Sequence, residues 1–163
     1  MKNNRIYKIN KNGKKRRVFW VYGLKVNFKG KNNIIIIHEP CVRFRNTTID
    51  CQDGSTVVFK SSHTKLKQMT IIMSNGNYLE IGHNLLPNTN CKIRVYRESG
   101  LKVKIGDNCM MGPNVEIAAS DAHCIYDMET KKVLNKGKDI TIVAYGKTVA
   151  RALEGANILK KKR

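Results

Sequence analysis

Every sixth residue from Ile81 to Ile117 falls on one phase: Ile81, Pro87, Ile93, Ser99, Ile105, Met111 and Ile117. Five of these seven are large and apolar, which marks the phase as inward-facing. Four residues after the first six of them come Leu85, Cys91, Arg97, Val103, Cys109 and Val115, of which five are apolar or small. A six-residue period fits neither the ~3.6-residue turn of a helix nor a hairpin. It fits a parallel β-helix, in which a short strand turns a corner every six residues and three sides make one coil. Inward side chains then stack in columns, and no coil is stable alone. The competing reading is an ordinary antiparallel β protein with chance periodicity.

Upstream a second phase holds, with Ile37 and Cys41, Arg43 and Thr47, then Ile49. It is offset by two residues, and the slip is expected near Gln52-Asp53-Gly54-Ser55, where Asp-Gly signals a turn. Cys41, Cys91 and Cys109 read as small buried residues. Gly82, Gly106 and Gly112 follow apolar positions and suit corners that need unusual backbone angles. His38, His63 and His83 read as edge or corner residues. Val18 to Phe28 reads as one or two strands by its β-branched and aromatic content, with Trp20 packing over the end of the core.

The formal charge of +19 makes an anionic partner the first suspicion. Its distribution matters. Residues 1–31 hold eleven Lys or Arg and no acid, and residues 160–163 are Lys-Lys-Lys-Arg, so the middle is only mildly basic. Few aromatics are interleaved with the cations and no nucleic-acid-binding motif is present, so a specific nucleic-acid partner is not expected. A weak contact with an anionic membrane surface remains open. Five cysteines without a CxxC pair indicate neither a disulfide framework nor a zinc site, and no metal site is expected. No run approaches the ~18 apolar residues of a membrane span, and the charged start has no apolar segment behind it. Cytoplasmic location follows as the default.

The segment Ile105-Gly-Asp-Asn-Cys-Met-Met-Gly-Pro-Asn-Val-Glu-Ile, then Ser120-Asp-Ala-His-Cys-Ile-Tyr-Asp, then Asp139-Ile-Thr-Ile, resembles the hexapeptide-repeat acyltransferases. It looks most like the bacterial O-acetyltransferases that modify capsular, lipopolysaccharide or related sugars. The resemblance covers roughly residues 30–142. It implies an all-β fold, a left-handed parallel β-helix with a protruding loop and a short irregular or helical C-terminal tail. It also implies a homotrimer, acetyl-CoA as donor and a sugar or polysaccharide acceptor. Carried over by position, His123 is the catalytic base, and Asp121 and Asp127 are the motif acids near it. Tyr145-Gly146 stands where the family has Trp-Ile-Gly, and Lys147 beside it is a candidate for the CoA phosphates.

On this reading residues 1–33 are a basic segment capping the β-helix, and residues 34–122 are its coils. Residues 123–139 are the active-site loop, and 140–163 a shortened C-terminal coil and basic tail. The alternatives are a catalytically inactive, truncated β-helix scaffold and a basic nucleic-acid-binding protein.

The residue types suit the chemistry. Moving an acetyl group from a thioester to a sugar hydroxyl needs a base near neutral pKa, which histidine supplies. An acid such as Asp121 or Asp127 would fix its tautomer. Backbone N–H groups at a coil edge would meet the oxyanion. Direct transfer calls for no cysteine nucleophile, so Cys124 is not assigned one. Gly146-Lys147-Thr148 is not a phosphate loop, because position 141, where the first glycine belongs, is Thr141.

Overall fold

A computed structural model describes residues 3–120 and 127–132. Two units are distinguished, residues 1–122 and 123–163. The described part of the first unit is all strand, turn and corner, without a helix. Among the described residues no helix is long and apolar enough to cross a membrane.

The chain opens with β1 (Arg5–Ile9), β2 (Lys15–Val18) and β3 (Leu24–Phe28). Four three-stranded coils follow. The first holds β4 (Ile34–His38), β5 (Arg43–Arg45) and β6 (Thr47–Cys51). The second holds β7 (Thr56–Phe59), β8 (Lys65–Lys67) and β9 (Met69–Met73). The third holds β10 (Tyr78–Ile81), β11 (Leu86–Pro87) and β12 (Cys91–Val95), and the fourth β13 (Lys102–Ile105), β14 (Met110–Met111) and β15 (Glu116–Ala118). Equivalent strands pair in parallel from coil to coil, so the molecule is a β-solenoid. Side A runs β1-β4-β7-β10-β13, side C runs β3-β6-β9-β12-β15, and side B consists of the pairs β5-β8 and β11-β14. β2 lies antiparallel on the outer edge of β1.

Parallel, in-register pairing makes the core a set of columns. Val26, Ile49, Ile71, Ile93 and Ile117 are register partners on side C. Ile35, Val57, Leu79 and Val103 are partners on side A. Phe44 stacks over Leu66 on side B, and its ring meets Phe59 edge-on at 5.1 Å. Each fully buried aliphatic side chain contributes about 1.5–3 kcal/mol, so the columns dominate the stability.

The opening six-residue beat has a simple structural meaning. Ile105, Met111 and Ile117 sit one on each side of the fourth coil. Coil length, however, is not three sixes. Register pairs Ile35 with Val57 and Val57 with Leu79, 22 residues apart, and Leu79 with Val103, 24 apart. Because 22 is not a multiple of six, the phase slips in every upstream coil rather than once near residues 52–55. The third-to-fourth step recovers the beat because its corner, 96–101, is two residues longer than the equivalent corner 74–77.

Asparagine turns many of the corners, and the left-handed glycines Gly54, Gly76 and Gly100 serve the corners between sides C and A. Asn46, Asn84, Asn90, Asn108 and Asn114 all have φ between 49° and 57°, the left-handed region that asparagine tolerates best after glycine. Gly82, Gly106 and Gly112 are not in that region. Gly82 is instead needed for close approach, since a Cβ there would stand 2.6 Å from the Gly106 backbone. The corner asparagines also stack: Asn84 Nδ2 donates to Asn108 Oδ1 (3.2 Å), and Asn90 Nδ2 to Asn114 Oδ1 (2.9 Å).

Two other expectations need correction. Trp20 does not cover the core; it is 74% exposed, with Phe19 and Tyr22 also exposed around the turn that follows β2. Of the three cysteines read as buried, Cys91 is, while Cys41 and Cys109 are half-buried.

Candidate functional site

The residues that lead into the Ser120-Asp121-Ala122-His123 motif are held firmly. Ile117 stacks on Ile93, and the Ala119 N–H donates to the Arg94 carbonyl at 2.9 Å. Glu116 forms an ion pair with Arg94 on the outer face. The Ser120 hydroxyl donates to Glu98 Oε1 at 3.0 Å. Glu98 lies in the longer corner 96–101, and that corner is fixed from within by Asn77. The buried Asn77 amide donates from Nδ2 to the carbonyls of Val95 and Glu98, both at 2.8 Å, and its Oδ1 accepts from the Leu101 N–H at 2.9 Å. A chain of contacts therefore runs from the core amide Asn77, through Glu98, to Ser120. Buried amides of this kind are stable only when every donor and acceptor is met, and here they are.

Of the expected site residues, Asp127 is described. It is partly exposed, and its Oδ1 accepts from the Glu129 N–H (2.9 Å) and the Thr130 N–H (3.2 Å). A side-chain hydrogen bond from Thr130, with those backbone donors, holds its carboxyl below the ordinary value of 3.8. Its own N–H donates to the Lys132 carbonyl at 3.0 Å, so Asp127 closes the turn it belongs to. His123 and Asp121 lie outside the described residues, as do Tyr145, Gly146 and Lys147.

The other histidines are at edges and corners, as expected. His38 ends β4, and burial followed by the charge of Lys60 lowers its pKa. His83 Nδ1 lies 2.9 Å from both the hydroxyl and the carbonyl of Ser61. The buried Cys51 thiol is pushed up to about 12 by burial and by Asp50, which makes it inert as a nucleophile.

A feature that sequence reasoning missed lies on side B. Arg43 and Arg45 on β5, and Lys65 and Lys67 on β8, alternate with the buried Phe44 and Leu66 and face outward. Register sets Arg43 beside Lys65 and Arg45 beside Lys67. None of the four has an ion pair among the described residues. A groove of about 520 Å³ includes Lys8, Tyr22, Arg43, Arg45 and Lys65 in its lining, and one of about 480 Å³ continues past Lys67, Leu86 and Met110. The signal was present in the sequence as Arg-Phe-Arg and Lys-Leu-Lys, 22 residues apart.

A polysialic acid O-acetyltransferase from Escherichia coli O1:K1 / APEC is 46% identical to this chain over 43 residues. That match takes in 26% of this chain and spans 14% of the relative's length. No protein-family model matches the chain, and no solved structure matches it. The parallel β-solenoid and the match together fit a hexapeptide-repeat acetyltransferase.

Proposed function

We propose that this chain is an O-acetyltransferase that moves an acetyl group from acetyl-CoA to a hydroxyl of a surface polysaccharide. The observation that carries the reading is the match to a polysaccharide O-acetyltransferase in a chain that folds as a parallel β-solenoid. In the proposed reaction the sugar hydroxyl oxygen attacks the thioester carbonyl carbon. His123 takes the hydroxyl proton as the bond forms. The tetrahedral intermediate collapses, the C–S bond breaks, and the departing CoA thiolate takes up the proton from His123. The products are the sugar ester and free CoA thiol.

Asp121 is assigned to orient His123. Asp127, already engaged by its own turn, is assigned to shape the loop that follows. Tyr145, Gly146 and Lys147 are assigned to the donor, with Lys147 toward its phosphates. The proposed assembly is a homotrimer and the proposed compartment the cytoplasm, where acetyl-CoA is available.

The test is release of CoA thiol from acetyl-CoA with polysialic acid as acceptor. His123→Ala should cut turnover about 10²–10⁴-fold, the usual worth of a positioned general base, with the solenoid's circular dichroism unchanged. Wild-type protein that binds no acetyl-CoA by calorimetry would sink the proposal.

A further inference from the structure

We infer that the outer face of side B is a binding track for a carboxylate-bearing polysaccharide, with Arg43, Arg45, Lys65 and Lys67 as its anion contacts. The inference rests on the proposal that a polysaccharide is the acceptor, and it names the chemistry of that polymer.

The first argument is the cost of the arrangement. Adjacent parallel strands lie about 4.8 Å apart, and same-face residues along a strand about 6.6 Å apart. Four like charges therefore share a rectangle of that size. Like charges directly opposed on neighbouring strands destabilise a sheet. Among the described residues side C sets no cation opposite another and supplies acids to two of its cations: Lys29 meets Asp50 at 3.2 Å, and Arg94 meets Glu116. Side B has no such acid among the described residues, so the four cations face outward without a protein counter-charge.

The second argument is shape and lining. The opening turn has β1 on side A and β3 on side C, but no strand on side B. The groove over β5 fills that gap. Its floor is Val21, Val42 and Phe44, and its wall carries Tyr22, which is 85% exposed. Gly23, beside it, has φ +73°, and a Cβ there would collide with the Phe44 carbonyl, so the turn bearing Tyr22 sits directly against β5. Further along, Leu86 and Met110 are exposed and in register.

An acidic sugar polymer matches this mixture. Its carboxylates suit guanidinium forks and ammonium groups, and the C–H faces of its rings suit Tyr22, Leu86 and Met110. A single-stranded nucleic acid would call for successive aromatic platforms, and among the described residues Tyr22 is the one exposed Phe, Tyr or Trp lining these grooves.

The experiment measures binding of long-chain polysialic acid to the full chain, without acetyl donor, by calorimetry at low and moderate salt. Arg43→Gln/Lys65→Gln should weaken binding about ten-fold or more. Lys25→Gln/Lys92→Gln, which removes the same charge from side C, should change it less than about two-fold. Tyr22→Ala should weaken binding with the salt dependence unchanged. Equal losses in the two double variants would overturn the inference in favour of net-charge attraction. Binding of duplex DNA or phosphatidylserine vesicles that falls with the side B variant, while polysialic acid binding does not, would also overturn it. Turnover on monomeric sialic acid separates the two proposals. If the chain does not acetylate yet binds the polymer through side B, the catalytic reading falls and the track stands. If it acetylates and side B variants bind normally, the track falls.

Discussion

Side B and side C present outer faces built by the same rule, and they treat charge in opposite ways. In both, inward residues stack into apolar columns and outward residues inherit the same register. On side C two outward cations have acid partners: Lys29 engages Asp50, which Asn27 also meets, and Arg94 engages Glu116. On side B, Arg43 lies beside Lys65 and Arg45 beside Lys67 with no acid between them. A parallel solenoid places like beside like, which favours isoleucine columns and penalises cation ladders. A ladder that persists without counter-charges therefore points to a partner outside the chain.

The largest effect should come from beneath both faces. Ile71 is fully buried between Ile49 and Ile93, and Ile71→Ala should cost about 2–5 kcal/mol in chemical denaturation. Both faces depend on that column, so the loss should be independent of salt; a marked salt dependence would mean the column is not what supports them. Glu116→Lys should come next, at about 1 kcal/mol, because it removes the partner of Arg94 and adds a cation beside Lys92. That loss should shrink at high salt. Lys65→Glu should do the reverse, stabilising by about 0.2–1 kcal/mol at low salt, since it sets an acid beside Arg43. A destabilised Lys65→Glu protein would show that the ladder carries no cost.

The smallest effect concerns side A. His38 has its pKa lowered below 6.5 by burial and by Lys60 and His83, against the opposing pull of Glu80. A folded-state pKa below the unfolded one means the unfolded chain binds the proton first. Stability should hold above pH 6.5 and decline as pH falls below it toward the folded pKa. His38→Gln should flatten that part of the melting-temperature profile, and an unchanged slope would remove His38 from the account.

The repeat from Ile81 to Ile117 was legible because the third-to-fourth coil step is 24 residues, a multiple of six. The upstream coils were not legible in detail. There one residue, Asn46 or Gln68, turns the corner between sides B and C in a left-handed conformation, and a uniform six-residue template has no place for a one-residue corner. Trp20 misled because its neighbours read as a buried strand, whereas a turn carries them outward. The side B cations were visible as alternation but were averaged into a mildly basic middle. At the candidate site, the anchoring of Ser120 through Glu98 and Asn77 depends on contacts more than twenty residues apart, which no local pattern encodes.

The antiparallel strand β2 has a further consequence. A stack of parallel coils is a template, and its end strands offer unpaired N–H and C=O groups to another strand. At the edge of side A that template is occupied by β2, whose backbone runs the opposite way and whose Lys15, Arg16 and Arg17 add three positive charges. A second copy arriving at this edge meets like charge. The outermost strand of side A is thus short and cationic, and like charge on an edge of this kind opposes its pairing with a second copy.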